Sequence, residues 1–168
     1  MNIAIVGNGG DKFTSKQEEV VKELLRSLFL RHKGCTLITG GSPRGGVDIW
    51  AVEIADTVPE LVQEIKVYRP EVWQWDPPSA YGFKQRNIDI AKDCYELYNI
   101  LSNEYPEGYK GTREKCYHCE KTGRRFPVHV KSGACWTMWL TNSLGKTVSY
   151  IIIGKDRVAN IETIEGSG

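Results

Sequence analysis

The chain has 168 residues, the size of one compact domain with its own hydrophobic core and little room for a second. Hydrophobic residues at 40% and charged residues at 26% exclude a disordered, collagen-like or coiled-coil chain. With 22 basic and 21 acidic residues the net charge is +1, so nothing draws the whole molecule toward nucleic acid or anionic lipid, and any such partner must be argued from a local site.

Residues 3–6 (IAIV) form a short apolar run closed by Gly7, the pattern of a strand buried on both faces. Ser15 with Glu18 three positions on reads as a capping box. Val20, Val21, Leu24, Leu25, Leu28 and Phe29 then recur at helical spacing, predicting a helix that ends near Gly34. Residues 35–39 (CTLIT) predict a second buried strand, followed by the glycine-rich loop 40–46 and a helical pattern through Ile49, Val52 and Ala55. A third strand is predicted over 63–68, a rigid loop over 73–79 (WQWDPPS), a third helix over 82–93 and a fourth strand over 95–101. Residues 103–131 break this rhythm with Gly, Lys, Arg and Glu and read as an insertion. A helix over 132–144, a fifth core strand over 147–153 and a short edge strand over 160–164 follow, and the closing residues 165–168 are tail-like.

Strands alternating with helices across short glycine-containing turns imply an open, mostly parallel α/β sheet. The expected architecture is a Rossmann-like three-layer sandwich of about five strands plus the edge strand, one domain over 1–168 with a Cys/His insertion around 103–135. Ligands of such folds bind at the carboxyl ends of the strands, here residues 7–10, 40–46, 73–79 and the segment after Leu101. No run of about 18 apolar residues is present, and the N-terminus enters a strand without a charged leader. The expectation is a cytoplasmic protein without a membrane partner.

The loop Gly40-Gly41-Ser42-Pro43-Arg44-Gly45-Gly46 lies between a buried strand and a helix start. Glycines there let the backbone approach a ligand closely, the helix N-terminus offers N–H groups to an anion, and Arg44 can add a bidentate contact. The same loop could instead serve only as a tight connection. The spacing is neither a Walker pattern nor a Gly-x-Gly-x-x-Gly after the first strand, though Gly9 lies at the same sheet edge. Asp48, in the first turn of the helix, can complement its dipole or receive a ribose hydroxyl.

This loop, continued by Val47-Asp48, Trp50-Ala51 and Ala55, resembles the Gly-Gly-Ala-x-Gly-Ala-Asp loop and helix of the YspA-like branch of the SLOG superfamily. Lys84-Gln85-Arg86-Asn87 with Ile90 and the fourth strand is similar to the Arg-Asn helix of that group, and residues 129–144 occupy the place of its second glycine and threonine loop. The resemblance spans most of residues 1–155 and implies a Rossmann-like nucleotide-binding domain. It also implies homo-oligomers. The superfamily includes phosphoribohydrolases, nucleotide N-glycosidase relatives and non-catalytic nucleotide sensors. In the hydrolases a Pro-Gly-Gly-x-Gly-Thr-x-x-Glu motif supplies a catalytic carboxylate; with Thr137 at its threonine, Leu140 stands at the glutamate position.

Ser132-Gly133 before the later helix, with Thr137 inside it, can form a second N-terminal anion site, or Ser132 can simply cap the helix. Arg86 and Asn87 can face a ligand or bond neighbouring backbone. Trp73 and Trp75 flank the loop at the binding edge, where Trp75 could stack on a base, although tryptophans more often fill cores; Trp136 and Trp139 are read as core.

Cysteine is odd in number, with Cys35 and Cys94 on core-like elements. Cys116 and Cys119 form a Cys-x-x-Cys pair, and His129 with Cys135 would complete a closed Cys₃His zinc site that steadies the insertion. Cys135 could instead be a buried thiol, His118 could replace His129, and the pair could be a redox couple. The leading expectation is therefore binding of a nucleotide or nucleotide-derived ligand, with structural zinc. An N-glycosidic hydrolase is the enzymatic version, with Asp48 or Glu53 as carboxylate, although Glu53 falls on another helical face. The alternative is a zinc-containing nucleic-acid-binding module that grips phosphates through the basic insertion, including Arg124 and Arg125.

Overall fold

The structure is a computed structural model that describes residues 1–166; the last two residues of the tail lie outside it. Six strands form one sheet in the order β3-β2-β1-β4-β5-β6. They are β1 (Asn2–Gly7), β2 (Cys35–Thr39), β3 (Val62–Val67), β4 (Glu96–Ser102), β5 (Thr147–Ile153) and β6 (Val158–Ile164). β1 to β5 pair in parallel, while β6 returns antiparallel along β5. The molecule is thus the expected mostly parallel α/β sandwich of Rossmann-like type.

Burial explains the strand sequences. Ile3, Ala4 and Ile5 are fully covered because helices lie on both faces of the central strands, which selects unbroken apolar runs over alternation. β6, at the edge, is mostly exposed and longer than its short apolar signal suggests. Helices α1 (Ser15–Arg31) and α2 (Val47–Thr57) pack on each other and share a core with Ile3, Ile5 and Leu37. Helices α3 (Phe83–Asp93) and α5 (Ala134–Ser143) cover the opposite face over Ala4, Ile38, Leu97 and Tyr150.

The cap of α1 is Thr14, not Ser15. Thr14 Oγ1 accepts from Gln17 N at 3.1 Å, and Gln17 Oε1 accepts from Thr14 N at 2.9 Å. Both frames satisfy the capping pattern, but Gln17 is buried, and its Nε2 donates to Ser102 Oγ, Ile153 O and Gly154 O at 3.1–3.3 Å. That anchor selects the earlier frame and leaves Glu18 to pair with Lys22 at 2.8 Å.

The segment between β4 and α5 is largely irregular, with a one-turn helix α4 (Tyr117–Glu120) and an isolated bridge between Lys115 and Val130. It packs onto the sheet through Phe126, whose ring lies 4.1 Å from Tyr150. The strand order reverses direction between β1 and β4, and a crevice opens beyond their carboxyl ends, the usual ligand position in such sheets. Gly7 sits at the floor: a Cβ there would lie 2.2 Å from Ile100 O and 2.7 Å from Val47, so only glycine lets β1 approach β4 and α2 this closely.

Candidate functional site

The glycine loop turns from β2 into α2 with positive φ at Gly41, Gly45 and Gly46. Gly46, at φ +86°, presses on the residues after β1; an added Cβ would come within 2.5 Å of Asn8 O and Gly10 N. The two loops are thereby locked together, and Val47 N donates to Asn8 O at 3.2 Å. Asn8 itself bridges the crevice, accepting from Ser102 N at 2.9 Å and donating to Lys131 O at 3.2 Å.

Arg86 and Asp48 both crowd Gly40 beneath the loop, where a Cβ would lie 2.4 Å from Arg86 Nη1 and 3.0 Å from Asp48 Oδ2. Arg86 Nη1 donates to Gly40 O at 2.6 Å and Nε to Asn87 Oδ1 at 2.7 Å, while Asp48 Oδ2 accepts from Ser42 N at 3.3 Å. Burial pushes the Asp48 carboxyl above the usual carboxylate range, against the pull of the Arg86 guanidinium and the Ser42 N–H. Burial also lowers Arg86, which the Asp48 charge opposes. The two side chains form the polar wall of an inner pocket of about 290 Å³ that also takes in Gly40, Asn87, Thr137 and Trp75.

An outer cleft of about 590 Å³ continues from this pocket past Gly9, Ser42, Arg44, Arg86, Ser132 and Gly133. Lys12 and Lys131 add positive charge there, with Glu114 as the lining carboxylate. Lys131 pairs with Glu114 at 3.0 Å and Lys12 with Asp11 at 2.9 Å, whereas exposed Arg44 makes no ion pair among the described residues. The N-terminus of α5 opens on the same cleft. Gly133 is the N-cap of α5, and Ser132, one residue earlier, accepts from Ala134 N through its Oγ at 3.2 Å while lining the wall.

Most of the residues singled out from sequence converge on this crevice. Gly41, Gly45 and Gly46 shape the loop without lining either space. Glu53 does not reach it: the side chain is exposed on α2 and lies 3.9 Å from Lys22, because five residues of helix turn it away from Asp48. Sequence reasoning placed Asn8 at the binding edge with residues 7–10 without giving it a role, and missed Lys12 and Lys131. Asn8 had a signal in its place just past β1, whereas Lys131 is brought in by the irregular segment. Trp136 and Trp139 are half-buried rather than core, and they line an open cleft beside α4. The reason is that α5 is apolar on nearly every face, so its sequence does not mark which face is covered.

The donor set Cys116, Cys119, His129 and Cys135 comes together, each residue buried and all four ligand atoms within 4.8 Å of one another. Cys116 and Cys119 Sγ are 4.0 Å apart, and His129 Nε2 lies 3.4 Å from Cys119 Sγ and 3.8 Å from Cys135 Sγ. Ligands held at about 2.3 Å in a tetrahedron are ~3.8 Å apart, so these spacings suit a single ion. His129 Nδ1 lies 2.7 Å from Val130 O; a proton on Nδ1 leaves the Nε2 lone pair facing the sulfurs.

Hydrogen bonds from Cys119 and Cys135 pull the Cys116 thiol far down, and the same bonds push Cys119 and Cys135 up. The trio thus ionises only in part on its own, and a divalent cation would let all three become thiolates. Asn99 Nδ2 donates to Cys135 Sγ at 3.4 Å, and the buried Trp139 N–H has no hydrogen-bond partner among the described residues. His118 lines the neighbouring cleft and is not in the donor set. Buried Cys35 and Cys94 stand apart as free thiols.

Among the described residues no helix is long and apolar enough to cross a membrane. Comparison of the chain with family models, with characterised proteins and with solved structures finds no match.

Proposed function

We propose that the crevice binds a nucleotide or nucleotide-derived ligand in a cytoplasmic protein, and that the cysteine cluster holds structural zinc. The observation that carries the reading is the facing of two helix-entry loops across the β1/β4 reversal, with Lys12, Arg44, Arg86 and Lys131 between them. Backbone N–H groups and guanidinium there suit phosphate, and the Asp48, Arg86 and Asn87 wall of the inner pocket suits the hydroxyls of a ribose and the edge of a base. The resemblance to the SLOG superfamily points the same way. Three thiolates and an imidazole are a zinc donor set, closed to substrate, whose part is to tie residues 116–135 together.

The chemistry open to this site is limited by its carboxylates. Asp48 is the acid lining the inner pocket, so hydrolysis of an N-glycosidic bond would require its charge to stabilise a ribosyl cation while the loop holds the phosphate. Calorimetric titration with a panel of nucleoside monophosphates, followed by chromatography for free base, tests both levels. Saturable binding supports the site, and base release abolished by Asp48→Asn supports the hydrolase. No binding of any member, nor of inorganic phosphate, overturns the reading. A second reading rests on the exposed Lys121, Arg124 and Arg125 beside the cluster, which could grip a nucleic acid. It requires strongly salt-dependent oligonucleotide binding that Arg124→Ala and Arg125→Ala weaken.

A further inference from the structure

A cleft of about 850 Å³ opens on the far side of Gly133 from the glycine loop. Its walls are Trp75, Tyr117, Trp136 and Trp139, with Lys121 and Lys131 at its edge, and among the described residues no carboxylate lines it. Trp75 and Tyr117 remain 45% and 41% exposed, and Trp75 meets Trp136 edge-on with ring centroids 4.9 Å apart. Arg124 lies over the Trp139 ring at 5.6 Å and Lys121 over Tyr117 at 5.0 Å. Large rings left in water beside Lys121 and Arg124, neither of them in an ion pair among the described residues, suit a flat aromatic group that carries negative charge.

This cleft is continuous with the crevice. Gly133 lines the inner pocket, the outer cleft and the aromatic cleft alike; Lys131 borders the last two, and Trp75 stands between the first and the last. A Cβ built on Gly133 meets nothing within 4 Å, so the junction of the three spaces is open. We propose that the aromatic cleft holds the second base of a dinucleotide whose first nucleoside occupies the inner pocket. Its joining phosphates lie at Lys131 and the N-terminus of α5. The proposal deepens the nucleotide reading and rests on it.

Titration calorimetry with AMP, ADP and diadenosine diphosphate, two adenosines joined 5′ to 5′ through two phosphates, tests it on the whole chain. A second stacked base is expected to make the dinucleotide at least about tenfold tighter than ADP. It is also expected to quench tryptophan emission more deeply than ADP, which reaches Trp75 of the inner pocket and Trp73 of the outer cleft but not Trp136 and Trp139. Trp136→Ala should remove the tenfold advantage and leave ADP unchanged; Trp136→Phe, which keeps the fold and an aromatic face, should restore part of it. Equal affinity for ADP and the dinucleotide overturns the proposal and leaves the nucleotide reading standing. Tight dinucleotide binding indifferent to Trp136 also overturns it, as does an oligoribonucleotide that outcompetes the dinucleotide for the same tryptophans. Failure of all three probes to bind overturns the proposal, and joined by failure of the monophosphate panel and inorganic phosphate it overturns the nucleotide reading as well.

Discussion

Withdrawing the proposed zinc should damage more than the insertion. The donors alternate with cleft walls along the chain: Tyr117 and His118 lie between Cys116 and Cys119, and Lys131, Ser132 and Gly133 lie between His129 and Cys135. An ion bound to the native chain at 100 to 1,000 times its dissociation constant stabilises the fold by about 3–4 kcal/mol. In a chain of this size each kcal/mol shifts Tm by about 2–4 °C, so saturating chelator should lower Tm by about 5–15 °C. His129→Ala, which removes one donor from a set buried to 4% exposure or less, should bring Tm near the chelated value without chelator. Both treatments should also weaken nucleotide binding, because the residues between His129 and Cys135 would lose their fixed course. Differential scanning fluorimetry with elemental analysis under reducing conditions makes the measurement. A chain that purifies without zinc, keeps its Tm in chelator and still binds nucleotide would refute the reasoning, since four contiguous buried donors would then be stable without an ion.

Arg44→Ala should weaken binding of AMP by about tenfold, the loss of one charge-assisted contact, while the exposed position keeps Tm unchanged; calorimetry and fluorimetry check the two halves. Gly46→Ala should cost about 2–3 kcal/mol by chemical denaturation, because the residue combines φ +86° with backbone of the β1 loop at 2.5 Å. His32 supplies a pH test. Burial holds its pKa below 6.5, against the pull of Glu96, so the folded chain takes up the proton less readily than the unfolded one. Its contribution is complete above pH 6.5 and lost as pH falls from there through the lower folded value. His32→Asn should flatten that part of the stability profile in urea titrations across pH 5–7, and an unchanged slope would count against it.

The parts of this architecture that sequence reveals are those where one physical requirement dominates. The strands β2 and β5 are legible to the residue because two-sided burial demands apolar runs, and the convergence of the four candidate donors is legible because thiol and imidazole spacing restricts their chemistry. The start of α1 is not, since Thr14 and Ser15 offer equal caps and the choice is made by Gln17 reaching across the sheet. The aromatic cleft is likewise hidden. Trp136 and Trp139 look like core on an apolar helix, and only the packing of α4 and the loop carrying Trp75 leaves them facing open space. Lys12 and Lys131 join the outer cleft through tertiary position alone.

The Gln17 amide also has a consequence for how the molecule assembles. Its partners Ile153 and Gly154 stand 136 and 137 residues away, so the first long helix cannot complete its own beginning until the last core strand has docked. Closure of so long a loop comes late and is shared by both ends of the chain. A truncation that removes β5 should therefore fray α1 at its amino end, although the two are nearly the whole polypeptide apart in order of synthesis.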